Sequence, residues 1–235
     1  MITVRKSKER GHANHGWLDT YHTFSFANYY DARHMGFGPL RVINEDVVAA
    51  GRGFGSHPHR DMEILTYVIS GKLAHKDSMG HTEELGPNEI QRMSAGSGVV
   101  HSEFNGSNAE PVHLFQVWIE PRTRGEKPSY EQLAFDPAEK KNRFRVLASS
   151  TPVAGAATIN QDAAVAVAEL EPGKELDYEL TEGRSAWVHV VKGDVQVNGT
   201  SLQAGDAAAL RQESKIHLQS GSTGNSEVLV FELVA

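Results

Sequence analysis

Two short stretches hold the residues best placed to do chemistry. Gly51-Arg52-Gly53-Phe54-Gly55-Ser56-His57-Pro58-His59 ends in a His-X-His pair, and Gly96-Ser97-Gly98-Val99-Val100-His101-Ser102-Glu103 ends in a His-X-Glu pair. In an extended strand, residues i and i+2 point to one face, so each stretch aims two donors the same way. Pro58 biases His57 toward extended geometry and offers no N–H to a ladder, which suits a strand start or edge. Brought together, His57, His59, His101 and Glu103 would supply three imidazoles and one carboxylate to one divalent cation per chain. Without a partner, burial of these groups would be costly, the carboxylate above all. The N/O donor set suits Fe, Mn, Co, Ni, Cu or Zn. Glu63 shares the odd-numbered face of His57 and His59 and competes with Glu103 for the fourth position.

The elements that must carry these residues read as β-strands. Short apolar stretches punctuated by glycine predict an all-β barrel or sandwich. Strands are expected at 40–48, 63–70, 73–77, 89–93 and 113–119, then at 163–170, 185–192, 194–197, 207–210, 215–219 and 228–233. A last strand of the first half is expected over 130–135. Asp136 as cap and Pro137 at the first position predict a short helix over 136–141. The polar, proline-bearing run 121–128 begins a connector.

A faint repeat divides the chain. Tyr67-Val68-Ile69-Ser70-Gly71-Lys72-Leu73 aligns with His189-Val190-Val191-Lys192-Gly193-Asp194-Val195. Each is followed by a glycine (Gly86, Gly205), an apolar strand, and a histidine after an apolar residue (His101, His217). The expected domains are therefore 1–134, a connector at 135–142, and 143–235. Counting back from the repeat glycines matches His57 to Glu179 and His59 to Thr181, and Gln219 replaces the carboxylate two residues beyond His217. The second unit is thus expected to bind no metal.

Composition narrows the function. There are no cysteines among the 235 residues, which excludes disulfides and thiolate metal sites. A formal charge of −7 argues against a nucleic-acid binder. No apolar run approaches the roughly 18 residues of a membrane span, and no leader opens the sequence, so a soluble cytoplasmic protein is expected. No Gly-rich phosphate loop leads into a helix. Of the twelve histidines, His12, His15, His34, His75 and His81 are expected in loops. His22 and His113 could approach the pocket, although ordinary hydrogen-bonded histidines are more common, and His189 and His217 are expected in structural roles.

Gly51-x5-His57-x-His59-x3-Glu63 resembles the first cupin motif, and Gly96-x-Gly98-x2-His101-x3-Asn105 the second. His57-Pro58-His59-Arg60, Ser94-Ala95-Gly96-x-Gly98-x2-His101-Ser102-Glu103, Gly16-Trp17-Leu18-Asp19 and His22-Thr23-Phe24-Ser25-Phe26 are similar to the pirin family in particular, closest to bacterial pirin-like quercetin 2,3-dioxygenases. The resemblance implies a bicupin, two tandem jelly-roll barrels packed together. It assigns the metal-binding carboxylate to Glu103 and leaves Glu63 a supporting role. It implies iron(II) as the favoured ion and ring-opening oxidation of a flavonol such as quercetin by dioxygen, with carbon monoxide released. Glu103 would also be the general base, and Phe54 would line the entrance. Some members of the family look like non-enzymatic, metal- and redox-responsive interaction proteins, which is the competing expectation.

Overall fold

The computed structural model describes residues 1–234 and is built almost wholly of strands. It falls into two compact units. One contains Gly11–Phe135 with Ala157–Gln161; the other contains Met1–Arg10, Asp136–Ala156 and Asp162–Ala235. The division between Phe135 and Asp136 lies one residue from the expected boundary, but the expected 1–134 unit needs correcting at its start. Ile2–Arg5 pairs antiparallel with Ala207–Leu210, so the first strand is an edge strand of the second unit's sheet. The expected helix is only a 3-10 turn, Pro137–Glu139. Asp136 caps it by accepting a hydrogen bond from the Ala138 N–H at 2.8 Å, and Asn142, in a left-handed conformation (φ 52°), follows shortly after its end.

In the first unit, seven strands form one antiparallel sheet in the order Ser129–Ala134, Glu89–Ser94, Glu63–Ser70, Val112–Ile119, Leu40–Val48, Leu18–His22, Gly11–Asn14. A second sheet of four runs Gly53–His59, Val99–Asn105, Leu73–Asp77, Thr82–Leu85. Central strands are buried on both faces, as the apolar run Glu63–Ser70 foretells, whereas Val99–Asn105 alternates strictly between buried odd and more exposed even residues. One apolar cluster gathers Leu18, Val48, Val68, Leu73, Leu85, Val112 and Leu114; another gathers Ile64, Met93, Ala95 and Val99.

The second unit repeats this order. Ala207–Leu210, Arg184–Lys192, Ser226–Val234, Ala163–Leu170 and Arg145–Ser149 are successive neighbours in one sheet. Glu175–Glu179, Lys215–Ser220, Asp194–Val197 and Thr200–Gln203 form the small sheet. The aligned glycines of the repeat occupy equivalent places. Gly71 and Gly193 have φ of 81° and 72°, and a Cβ on either would stand 2.6 Å from the carbonyl of Pro111 or Asn225, respectively. Both turns therefore demand glycine for the same two reasons.

Candidate metal centre

The strands Gly53–His59 and Val99–Asn105 pair antiparallel with His57 opposite His101 and His59 opposite Val99. Beyond that point the register slips, so that Glu103 faces Phe54. Two residues on one strand, Gly55 and Ser56, then stand against one on the other, Ser102, a β-bulge. Its effect is local and chemical: the Gly55 carbonyl accepts a 2.7 Å hydrogen bond from His57 Nδ1. A carbonyl can only accept, so the proton sits on Nδ1 and the Nε2 lone pair is left free, the arrangement usual for a metal-binding imidazole. Gly53 permits the close approach of the two strands, since a Cβ there would fall 2.2 Å from the Glu103 carbonyl oxygen.

The donor atoms of His57, His59 and His101 lie within 4.8 Å of one another. His57 Nε2 and His101 Nε2 are 3.0 Å apart. Two nitrogens bound at right angles to one ion at about 2.1 Å would stand about 3.0 Å apart, so the pair already has the spacing of neighbouring ligands. Burial holds His59 near a pKa of about 4, with His57 adding to the effect. Burial, with repulsion from His57 and His59, lowers His101 to about 3. Both are neutral at pH 7, as ligands must be.

Glu103 stands one step back. Its Oε2 is 4.0 Å from His101 Nε2 and accepts a 2.9 Å hydrogen bond from Gln116 Nε2. Its Oε1 is buried with no hydrogen-bond partner among the described residues. Burial raises the carboxyl to about 7, and the Gln116 bond partly opposes this. An orphaned oxygen beside three converging imidazoles is what a cation would satisfy, and the residues present fit a first-row divalent ion.

Glu63 goes elsewhere. The strand carrying His57 and His59 ends at His59, and the chain turns through Asp61 (φ 49°) before Glu63 opens a strand of the other sheet. The shared odd-numbered face is lost in that turn. Glu63 accepts a 2.6 Å bond from Ser94 Oγ and lines a separate cavity with Arg92, Ser94 and Asn160.

Two residues placed in loops by the sequence need correction, and one of them matters. His12 lies in the strand Gly11–Asn14. His75 lies in the strand Leu73–Asp77, is fully buried, and forms a second close group with His101 and Glu103, again within 4.8 Å. Its Nε2 donates to Asp77 at 3.1 Å, and Asp77 also accepts from His81 Nδ1. The inward alternation of residues 73, 75 and 77 was the available signal. His22 is buried beside the site, donating to Asn44 Oδ1 at 2.8 Å, whereas His113 pairs with Glu45.

The site opens into a cavity of about 430 Å³ that His57, His59 and Glu103 line together with the aromatic residues Trp17, Phe26, Phe54 and Trp118. Trp17 meets Phe54 edge-on at 5.2 Å, and Phe26 meets Trp118 edge-on at 5.3 Å. The opposite wall is polar: Thr20, His22, Asn44, Asp46 and Gln116 project from three neighbouring strands of the large sheet. Sequence reading missed this wall. Its signal lay in Leu40–Val48, where Asn44 and Asp46 share the even-numbered, buried face with Val42 and Val48.

Both groups able to hold a metal among the described residues belong to the first unit. In the second unit the register places Asp177, not Glu179, opposite His217. His217 also fails as the counterpart of His101, because Lys215–Ser220 buries its even-numbered residues. Ile216 and Leu218 therefore point inward, into an apolar core with Val195, Val197 and Leu202, while His217 faces out and bonds Asp177 at 2.6 Å.

A family model described as Pirin matches residues 3–119, and one described as Quercetinase C-terminal cupin domain matches residues 146–233. A quercetin 2,3-dioxygenase of Escherichia coli K12 is 47% identical over 233 residues, 99% of each chain. A pirin-like protein of Caulobacter vibrioides is 41% identical over 92% of this chain and 93% of its own. The crystal structure of the Escherichia coli bacterial pirin YhhW in complex with nickel(II) superimposes with a TM-score of 0.94 at 46% identity, covering 100% of this chain and 99% of that one. No described helix is long and apolar enough to cross a membrane.

Proposed function

This chain belongs to the pirin family, and on that premise we propose that it is a metal-dependent dioxygenase that opens the ring of a flavonol such as quercetin and releases carbon monoxide. It is related over its whole length to enzymes named quercetin 2,3-dioxygenase. The observation that carries the reading is the convergence of His57, His59 and His101 beside an aromatic-walled cavity that His57, His59 and Glu103 line and that is large enough for a three-ring ligand.

His57, His59, His101 and Glu103 would hold one ion, iron(II) on family grounds, with nickel accepted as in the bacterial relative. When bound, that ion supplies Lewis acidity toward the substrate's enolic hydroxyl and a redox partner for dioxygen. The residues of the chain do the rest. Gln116 anchors Glu103 through Oε2; with Oε1 turned to the ion, Oε2 would take the hydroxyl proton. The Gly55 carbonyl keeps the His57 proton on Nδ1. Trp17, Phe26, Phe54 and Trp118 clamp a flat ring system and exclude water from the reacting face.

The test is product analysis on metal-loaded protein of measured ion content. Aerobic incubation with quercetin should release carbon monoxide with saturable kinetics, and anaerobic incubation none. Loaded protein that turns over no flavonol in air would end the reading.

A further inference from the structure

The mechanism uses the floor of the cavity and, from the polar wall opposite it, only Gln116; Asp46 has no role there. On that wall Asp46 is 4% exposed, and its Oδ1 has no hydrogen-bond partner among the described residues. Glu103 and Glu45 push its charge away, and His113 opposes them. Thr20, which pairs with Asp46 across the neighbouring strand, hydrogen-bonds the carboxyl and is itself 2% exposed. A buried acid with one oxygen left unbonded is unfavourable, and a ligand that brings a hydroxyl donor would relieve it.

Register fixes where that donor would have to be. Asn44 lies opposite Gln116, the residue that anchors Glu103. Asp46 is two residues further along the same strand and faces the same cavity. One strand spacing and two residue rises separate the backbones of Gln116 and Asp46 by about 8 Å. A flavonol held by its enolic oxygen at the floor is longer than that, so a hydroxyl on its far side reaches the wall. We propose that Asp46, steadied by Thr20, is the specificity-determining residue of this cavity and accepts a hydrogen bond from a phenolic hydroxyl of the substrate remote from the metal centre. The proposal rests on the flavonol reading. It predicts selection for polyhydroxylated flavonols over 3-hydroxyflavone, which has the enolic group alone, because a site built to bond a hydroxyl discriminates against an analogue lacking it.

The experiment measures anaerobic binding of quercetin and of 3-hydroxyflavone to nickel-loaded protein by tryptophan fluorescence quenching, with Trp17 and Trp118 as reporters in the cavity. Wild type, Asp46→Ala and Asp46→Asn are compared at equal metal content. The expected result is that wild type binds quercetin more tightly and that Asp46→Ala shrinks the preference about tenfold or more. Asp46→Asn, which retains a carbonyl acceptor and the residue's shape, should lose less of it. An equal loss for both ligands in Asp46→Ala, or an unchanged preference, overturns the assignment while leaving the flavonol reading standing. Failure of wild type to bind either ligand overturns both.

Discussion

His57 Nε2 and His101 Nε2 face each other 3.0 Å apart across two paired strands. At most one of these nitrogens can carry a proton, and His57 has already placed its own on Nδ1 to reach the Gly55 carbonyl. The backbone thus presets the lone pair that an ion needs, at the spacing an ion needs. His59 completes the group from the same strand as His57, and its ring meets Trp118 edge-on at 4.9 Å, tying the imidazole cluster to the wall of the cavity.

Removing either facing imidazole should therefore empty the site. His57→Ala and His101→Ala are expected to fall from about one equivalent of metal to a small fraction, with affinity lowered by at least the ~10–100-fold seen for outer-shell losses. Elemental analysis after dialysis against a weak chelator reads the result. Near-full occupancy in both variants would mean that the ion lies elsewhere.

The two carboxylates separate cleanly. Glu103→Gln should keep the fold, since the amide still accepts from Gln116, yet lower turnover by about 10²–10⁴-fold through loss of the proton acceptor. Glu63→Ala should leave metal content unchanged, because Glu63 bonds Ser94 in a different cavity. Steady-state rates and metal content measured on both variants check the pair. The reverse pattern would make Glu63 the ligand.

The candidate ligands were legible because each pair obeys the two-residue period of a strand and carries its own glycine-rich approach. The bicupin architecture was legible because the repeat preserves glycines whose φ values no other residue adopts readily. What stayed hidden depended on phase and on non-local pairing. Glu63 kept its parity with His59 on paper, but the Asp61 turn moved it to another sheet. His217 kept its place in the repeat but faces out, because its strand is offset by one residue. His75 and Asp46 become part of the site only when strands distant in sequence are set side by side. The first strand's assignment to the second unit is a pairing across more than 200 residues, which no local pattern records.

Gly53→Ala should test the strand approach that sets the bulge. Its Cβ would press on backbone atoms, 2.2 Å from the Glu103 carbonyl oxygen and 2.4 Å from Phe104 Cα, so no side-chain rotation relieves the contact. A destabilisation of about 1–3 kcal/mol is expected, as for overpacked cores. Metal affinity should fall with it, because the displaced strand carries His101 and Glu103. Gly55→Ala, which meets nothing within 4 Å, is the control and should cost much less. Urea denaturation of the two variants distinguishes a packing requirement from a general preference for glycine.

Asp46 supplies a pH signature to be read in the metal-free protein. Burial, reinforced by Glu103 and Glu45, raises its pKa from 3.8 to about 7 in the folded protein, against the Thr20 bond that lowers it. For an acid with a raised folded pKa, the folded state binds the extra proton between those two values. Stability therefore declines as pH rises from about 4 to about 7 and levels off above. A rise of that size corresponds to roughly 4 kcal/mol as an upper figure. Asp46→Asn, uncharged throughout, removes this contribution. The stability of the variant minus that of wild type should accordingly increase between pH 4 and pH 7 and then flatten. Denaturant melts of both proteins at pH 4.5, 6 and 8 would show it, and a difference that does not change with pH would mean that Asp46 is hydrated or paired in the folded molecule.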